Sequence, residues 1–167
     1  MFNSQLRIYG KHARILKKYS RDKQAAEQVE FLVRDHEGRN RPTYIFETMI
    51  QCYMVAAMVG IIEHKKIEND EGIDNPANIF TDVLHKNRNE LDRIVKFMIL
   101  TDDSTDDIDL KIKQAFSVKR KDKIEDGVTS YARYGLEVID DYFKDCRSNE
   151  DVANALRDFR DHYHFEN

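Results

Sequence analysis

Five cations on the first helical stretch form the densest chemical pattern in the chain. Arg7, Lys11, Arg14, Lys18 and Arg21 step by four, three, four and three, with no acidic residue before Asp22. On a helix these positions share one arc beside an apolar face, over about 21 Å of axis. Like charges at such spacings repel one another and slightly destabilise an isolated helix. A one-sign stripe therefore points to an anionic partner, such as a nucleic-acid backbone. The plainer alternatives are a solvated basic face, or docking onto the acidic connector at 102–109 of the same chain or a neighbouring one. Lys119, Arg120 and Lys121, in the turn KRKDK, offer the same kind of surface.

Near the C-terminus, RDFRDH sets Arg157 and Asp158 ahead of His162. The string resembles the arginine–polar–three–histidine signature of HEPN ribonucleases, which are all-α dimers. That likeness implies, as an alternative reading, RNA cleavage by Arg157 and His162 at a site shared between protomers. Residues five apart sit about 140° from each other around a helix, so their convergence relies on arginine's reach. Surface pairing of Asp158 and Asp161 with Arg157 and Arg160 is the bland reading of the same string.

Other chemistry is sparse. The connector bearing Asp102, Asp103, Asp106, Asp107 and Asp109 lacks the glycine and terminal glutamate of a calcium-binding loop. His12, His36, His64 and His85 have no partner at metal-ligand spacing and default to the surface, and His162 and His164 lie only two apart. There is no glycine-rich phosphate loop, nucleophile elbow or CxxC pair. Cys52 and Cys146 sit far apart among apolar residues, which suits buried free thiols in a reducing cytosol. No catalytic residue, metal or cofactor is expected, and a net charge of −4 gives no global basicity.

The elements that must carry these residues read as helices. Charged residues make up 35% of the 167, with two prolines and six glycines, too few breakers for a sandwich or barrel. Helices are expected over 4–21, with Leu6, Tyr9, Ala13 and Leu16 inward, and over 22–34, with Ala25, Val29 and Leu32 inward. His36–Pro42 reads as a polar connector. Residues 43–62 are apolar nearly all round, as suits a central buried helix. Asn75 and Pro76 read as the start of a helix over 76–86, followed by helices at 89–100 and 107–118. Asp122 opens a long helix with Val128, Tyr131, Gly135, Val138 and Tyr142 on one face. Ser148 and Asp151 form a capping box ahead of the last helix. The expected fold is all-α: one compact bundle of six to seven helices spanning residues 1–167. The N-terminus has no apolar leader, and the longest apolar run, residues 49–62, falls short of the roughly 20 residues of a membrane span. A cytoplasmic protein is expected.

Gly135 lies on the inward face of its helix, where glycine costs about 1 kcal/mol relative to alanine. The buried helix carries its own small residues, Ala56, Ala57 and Gly60. A close crossing of the two helices at these four positions would offset that cost through added dispersion contacts.

The segments IFETMIQCYMVAAMVG and YARYGLEVIDDYF resemble small DNA phosphorothioation-associated proteins, encoded beside bacterial DNA sulfur-modification genes. Phe46, Thr48, Ala56, Ala57, Val59 and Gly60, then Tyr131, Ala132, Gly135, Leu136, Glu137 and Ile139, carry the likeness over residues 44–145. Where that family has paired acids before the tyrosine, this chain has Val128, Thr129 and Ser130. The resemblance implies a non-catalytic accessory subunit of a prokaryotic DNA-modification or anti-phage defence system. Its expected partners are proteins of such a complex and double-stranded DNA at the basic helix, with a homodimer left open and no membrane. A protein–protein adaptor without nucleic-acid binding is the remaining alternative.

Overall fold

The structure, a computed structural model, describes residues 5–21, 31–70, 72–117 and 124–164. In chain order the elements are β1 (Leu6–Ile8), α1 (Gly10–Tyr19), β2 (Phe31–Arg34), β3 (Asn40–Thr43), α2 (Met49–Ile62), β4 (Ala77–Ile79), α3 (Thr81–Lys86), α4 (Arg88–Leu100), α5 (Ile108–Ala115), α6 (Ile124–Phe143) and α7 (Asn149–Tyr163). Helices dominate, but two small antiparallel sheets correct the all-α expectation.

Each sheet replaces part of an expected helix. β1 pairs with β4 in the register Leu6↔Ile79, Arg7↔Asn78 and Ile8↔Ala77. The expected helix over 4–21 therefore begins only at Gly10, and the one expected over 76–86 begins at Thr81. The reason is burial. Ile8, Ala77 and Ile79 are sealed in the core while Arg7 faces out, an alternation of period two that three residues are too few to announce. β2 alternates likewise, with Phe31 and Val33 buried and Leu32 exposed, so Leu32 is not the inward residue of a helix. Ala25 and Val29 of that expected helix lie outside the described residues. β3 pairs with β2 through a turn in which the Asp35 carboxylate accepts from the backbone N–H groups of Glu37 and Arg39, both at 2.9 Å. Gly38 takes the left-handed conformation at φ 76° that this turn requires. Pro42 sits on β3, the kind of edge position that tolerates a missing donor.

α2 is the central helix. Nine of its residues are buried, and Thr48 caps it by accepting from Gln51 N–H at 3.3 Å. Its main partner is α6, and α1 and α4 also pack on it. α7 closes the bundle by packing Phe159 edge-on against Tyr142, at 5.1 Å between ring centroids, and beside Phe143. Ser148 and Asp151 form the reciprocal capping box that opens α7.

Candidate functional site

The small residues meet at the α2–α6 crossing. A Cβ at Gly135 would fall 1.8 Å from the carbonyl oxygen of Ala56, and one at Gly60 would fall 2.2 Å from that of Tyr131. The two helices thus touch backbone to backbone at two levels. Ala57 is fully buried beside Ala56. Gly60 serves close packing; the C-cap is Glu63, three residues on. The contact between the helices is apolar apart from a buried hydrogen bond between the hydroxyls of Tyr53 and Thr129 at 3.1 Å, and it fixes the height of α6, whose other faces carry the charges described next.

The basic stripe is divided. Arg7 faces out of β1 and is not on the helix at all. Lys11 donates to Glu137 Oε1 at 2.9 Å, Lys18 to Asp140 Oδ1 at 3.1 Å, and Arg21, beyond the helix end, to Glu47 Oε2 at 3.1 Å. Arg14 stays exposed, with no ion pair among the described residues. Glu137 and Asp140 share a face of α6 with Arg133, so Lys11 and Lys18 lie on a seam that docks α1 onto α6. The carboxylates that meet them belong to α6, not to the acidic connector at 102–109.

His12 lies in the middle of that seam. It is completely buried, not at the surface, with Nδ1 3.0 Å from Asp70 Oδ1 and Nε2 3.2 Å from Glu137 Oε1. Each ring nitrogen thus faces a carboxylate oxygen, and which of them donates depends on the tautomer. Arg133 completes the group. It donates to Asp70 Oδ2 at 3.3 Å and to the Glu68 carbonyl at 2.8 Å, tying the loop after α2 across α6 to α1. Arg133 Nε lies 3.1 Å from Asp70 Oδ1, an ion-pair distance at an angle unsuited to a hydrogen bond. A histidine between two acids has the composition of a general base. Yet a ring with 0% exposure meets no substrate, so this cluster is a structural clamp. Spacing alone left His12 to the surface, although the helical face it shares with Leu16 and Tyr19 was the signal of its burial. Asp70, Glu137 and Arg133 come from distant segments and carried no such signal as its partners.

A second cationic group converges where the sequence offered no hint. Lys18, Arg34, Asn40, Lys144 and Arg147, with Phe31 and Leu32 as an apolar wall, line an open cleft of about 370 Å³. Arg34 reaches this place because its backbone N–H donates to the Arg147 carbonyl at 2.8 Å, which pins the β2–β3 hairpin to the α6–α7 turn. The Arg147 guanidinium is held by the carbonyls of Lys144 and Cys146, at 2.8 and 3.1 Å. Lys18, Lys144 and Arg147 pair with Asp140, Asp141 and Asp145, while Arg34 makes no ion pair among the described residues. No carboxylate lines the cleft itself. Lys119, Arg120 and Lys121 lie outside the described residues.

Arg157, Asp158 and His162 are all exposed on α7. The His162 ring lies edge-on to Tyr163, 4.6 Å between centroids, and Asp161 pairs with Arg160. The acids of the connector serve local structure: Asp107 caps α5 by accepting from Leu110 N–H at 3.0 Å, and Asp102 accepts from Ser104. Among the described residues, no group of three or more histidine, cysteine, aspartate or glutamate side chains is placed to hold a metal ion. Both cysteines are free and buried, and burial pushes each thiol up from its ordinary value, which makes them poor nucleophiles. No described helix is long and apolar enough to cross a membrane. Comparison with family models, with characterised proteins and with solved structures finds no match for this chain.

Proposed function

We propose that the protein is a non-catalytic accessory subunit, as the resemblance to DNA phosphorothioation-associated proteins implies. In this reading it contacts the phosphodiester backbone of double-stranded DNA at the cleft of Lys18, Arg34, Lys144 and Arg147. One observation supports it: cations from α1, β2 and the end of α6 surround a single cleft that no carboxylate lines. The pairs that Lys18, Lys144 and Arg147 make at the rim do not stand in the way. Pairs of this partly exposed kind contribute only about 0–1 kcal/mol, so a phosphate can displace the aspartates. Lys11 belongs to the clamp in this reading, and only Lys18 of the stripe takes part in DNA contact.

The test is duplex DNA binding followed by fluorescence anisotropy between about 50 and 200 mM salt. Affinity should fall steeply with salt, and Arg34→Glu with Lys144→Glu should weaken it more than tenfold. Arg7→Ala, in β1 ahead of the end of α1 opposite Lys18, should leave it near the wild-type value. Absence of binding at low salt, or an unchanged affinity in the double variant, overturns the reading.

A further inference from the structure

α5 is a short helix whose main packing partner is α4, and its apolar side is poorly covered. Ile108, Ile112 and Phe116 step by four and remain 68%, 46% and 63% exposed, and Leu100 at the end of α4 is 39% exposed. Beside them the Lys96 ammonium lies over the Phe116 ring, 4.9 Å from its centroid. Scattered exposed apolar residues need no explanation, but a contiguous stripe of this kind marks a contact surface.

The charges bordering the stripe identify what covers it. Asp109 and Lys113 flank it on the same side, one turn apart, and neither makes an ion pair among the described residues. The acidic connector lies at the N-terminal end of α5, and Lys111 and Lys113 lie toward its C-terminal end. This surface is complementary to itself when reversed. We infer that two copies of the chain pair through α5, antiparallel about a two-fold axis near Ile112. Ile112 then meets its own counterpart, and Ile108 meets Phe116 of the second copy. Along the axis the two Lys113 side chains then lie about 3 Å apart in level, and each has Asp109 of the other copy about 3 Å away on its other side, so the aspartates bracket the lysines. Two short helices and the end of α4 make a small interface, so the dimer dissociates at roughly micromolar concentration.

Sedimentation velocity on the full chain tests this over a dilution series. Wild type should pass from dimer to monomer, and Ile112→Asp or Phe116→Asp should be monomeric throughout with an unchanged far-ultraviolet circular dichroism spectrum. Asp109→Lys, an exposed position where folding is not at stake, should weaken the dimer at least tenfold. Adding Lys113→Asp to it should restore pairing. A wild type that stays monomeric at the highest concentration overturns the inference and leaves the stripe to a different protein. A dimer indifferent to both charge variants places the interface elsewhere and overturns it equally.

Discussion

Gly127 and Gly135 lie two turns apart on α6 and differ in what stands opposite. A Cβ at Gly127 would meet the Met98 thioether at 3.6 Å, an ordinary contact with a flexible side chain. At Gly135 it would lie 1.8 Å from the Ala56 carbonyl, which can move only if α2 moves. Gly127→Ala should therefore stabilise the protein by about 0.5–1 kcal/mol, the helix-propensity gain. Gly135→Ala should destabilise it by about 3 kcal/mol, and Gly135→Leu by more, because the backbone contact must open. Guanidinium melts of these variants read the difference directly. Equal midpoints for the two alanine variants would mean that α2 and α6 are not in backbone contact.

At the scale of elements, α1 is attached to the bundle by charge as much as by apolar packing. Its inward face combines Ala13, Leu16 and Tyr19 with His12 and Lys18, and the Tyr19 hydroxyl donates to Asp140 at 2.7 Å. Removing one member of a buried polar group takes from its partners a hydrogen bond that water cannot replace, and costs more than the bond contributed while intact. His12→Leu keeps similar volume but leaves Glu137 to Lys11 and Asp70 to Arg133. It should cost about 3 kcal/mol, and hydrogen exchange should quicken first in α1 and in the loop at residues 67–70. Exchange that quickens uniformly over the chain would show that the seam is not a local clamp.

Over the whole molecule, titrating groups bound the pH range of stability on both sides. Hydrogen bonds hold four carboxyls below their ordinary values, and at Glu68 the chief donor is the Lys66 ammonium. For Asp35 the backbone N–H of Arg39 is the chief cause, and for Asp151 it is that of Arg147. At Glu63 burial acts upward, but donation from Tyr134, Tyr163 and Lys65 outweighs it. Each binds its proton less readily folded than unfolded, so its contribution is complete above about pH 5 and is lost as pH falls through 4 and below. The opposite holds for Tyr19, Tyr53 and Tyr163 and for Cys52, all raised chiefly by burial. Their contribution is complete below the ordinary values of 9.0 for the thiol and 10.0 for the phenols, and is lost as pH rises past them. Denaturant midpoints should thus form a plateau between about pH 5 and 9 and fall on either side. A midpoint that climbs from pH 5 to pH 3 would contradict the assignment of the four carboxyls.

What was legible in the sequence was what near neighbours along the chain decide. The burial of α2 shows in its lack of a polar face, the start of α7 in Ser148 and Asp151, and the special position of Gly135 in the cost of glycine at an inward helical site. Each of these follows from the helical period or from residues within one turn. β1 and β4 were not legible, because three-residue strands show no period of their own and are formed by a partner about seventy positions away. The same separation hid the use of the basic stripe. Sequence placed five like charges together, but only the fold could bring Glu137 and Asp140 of α6 against two of them and bury His12 between acids from two other segments. The cleft of Arg34, Lys144 and Arg147 is likewise a product of the hairpin reaching the α6–α7 turn. Local order follows from local chemistry, whereas the pairing of charges depends on which distant surfaces the core draws together.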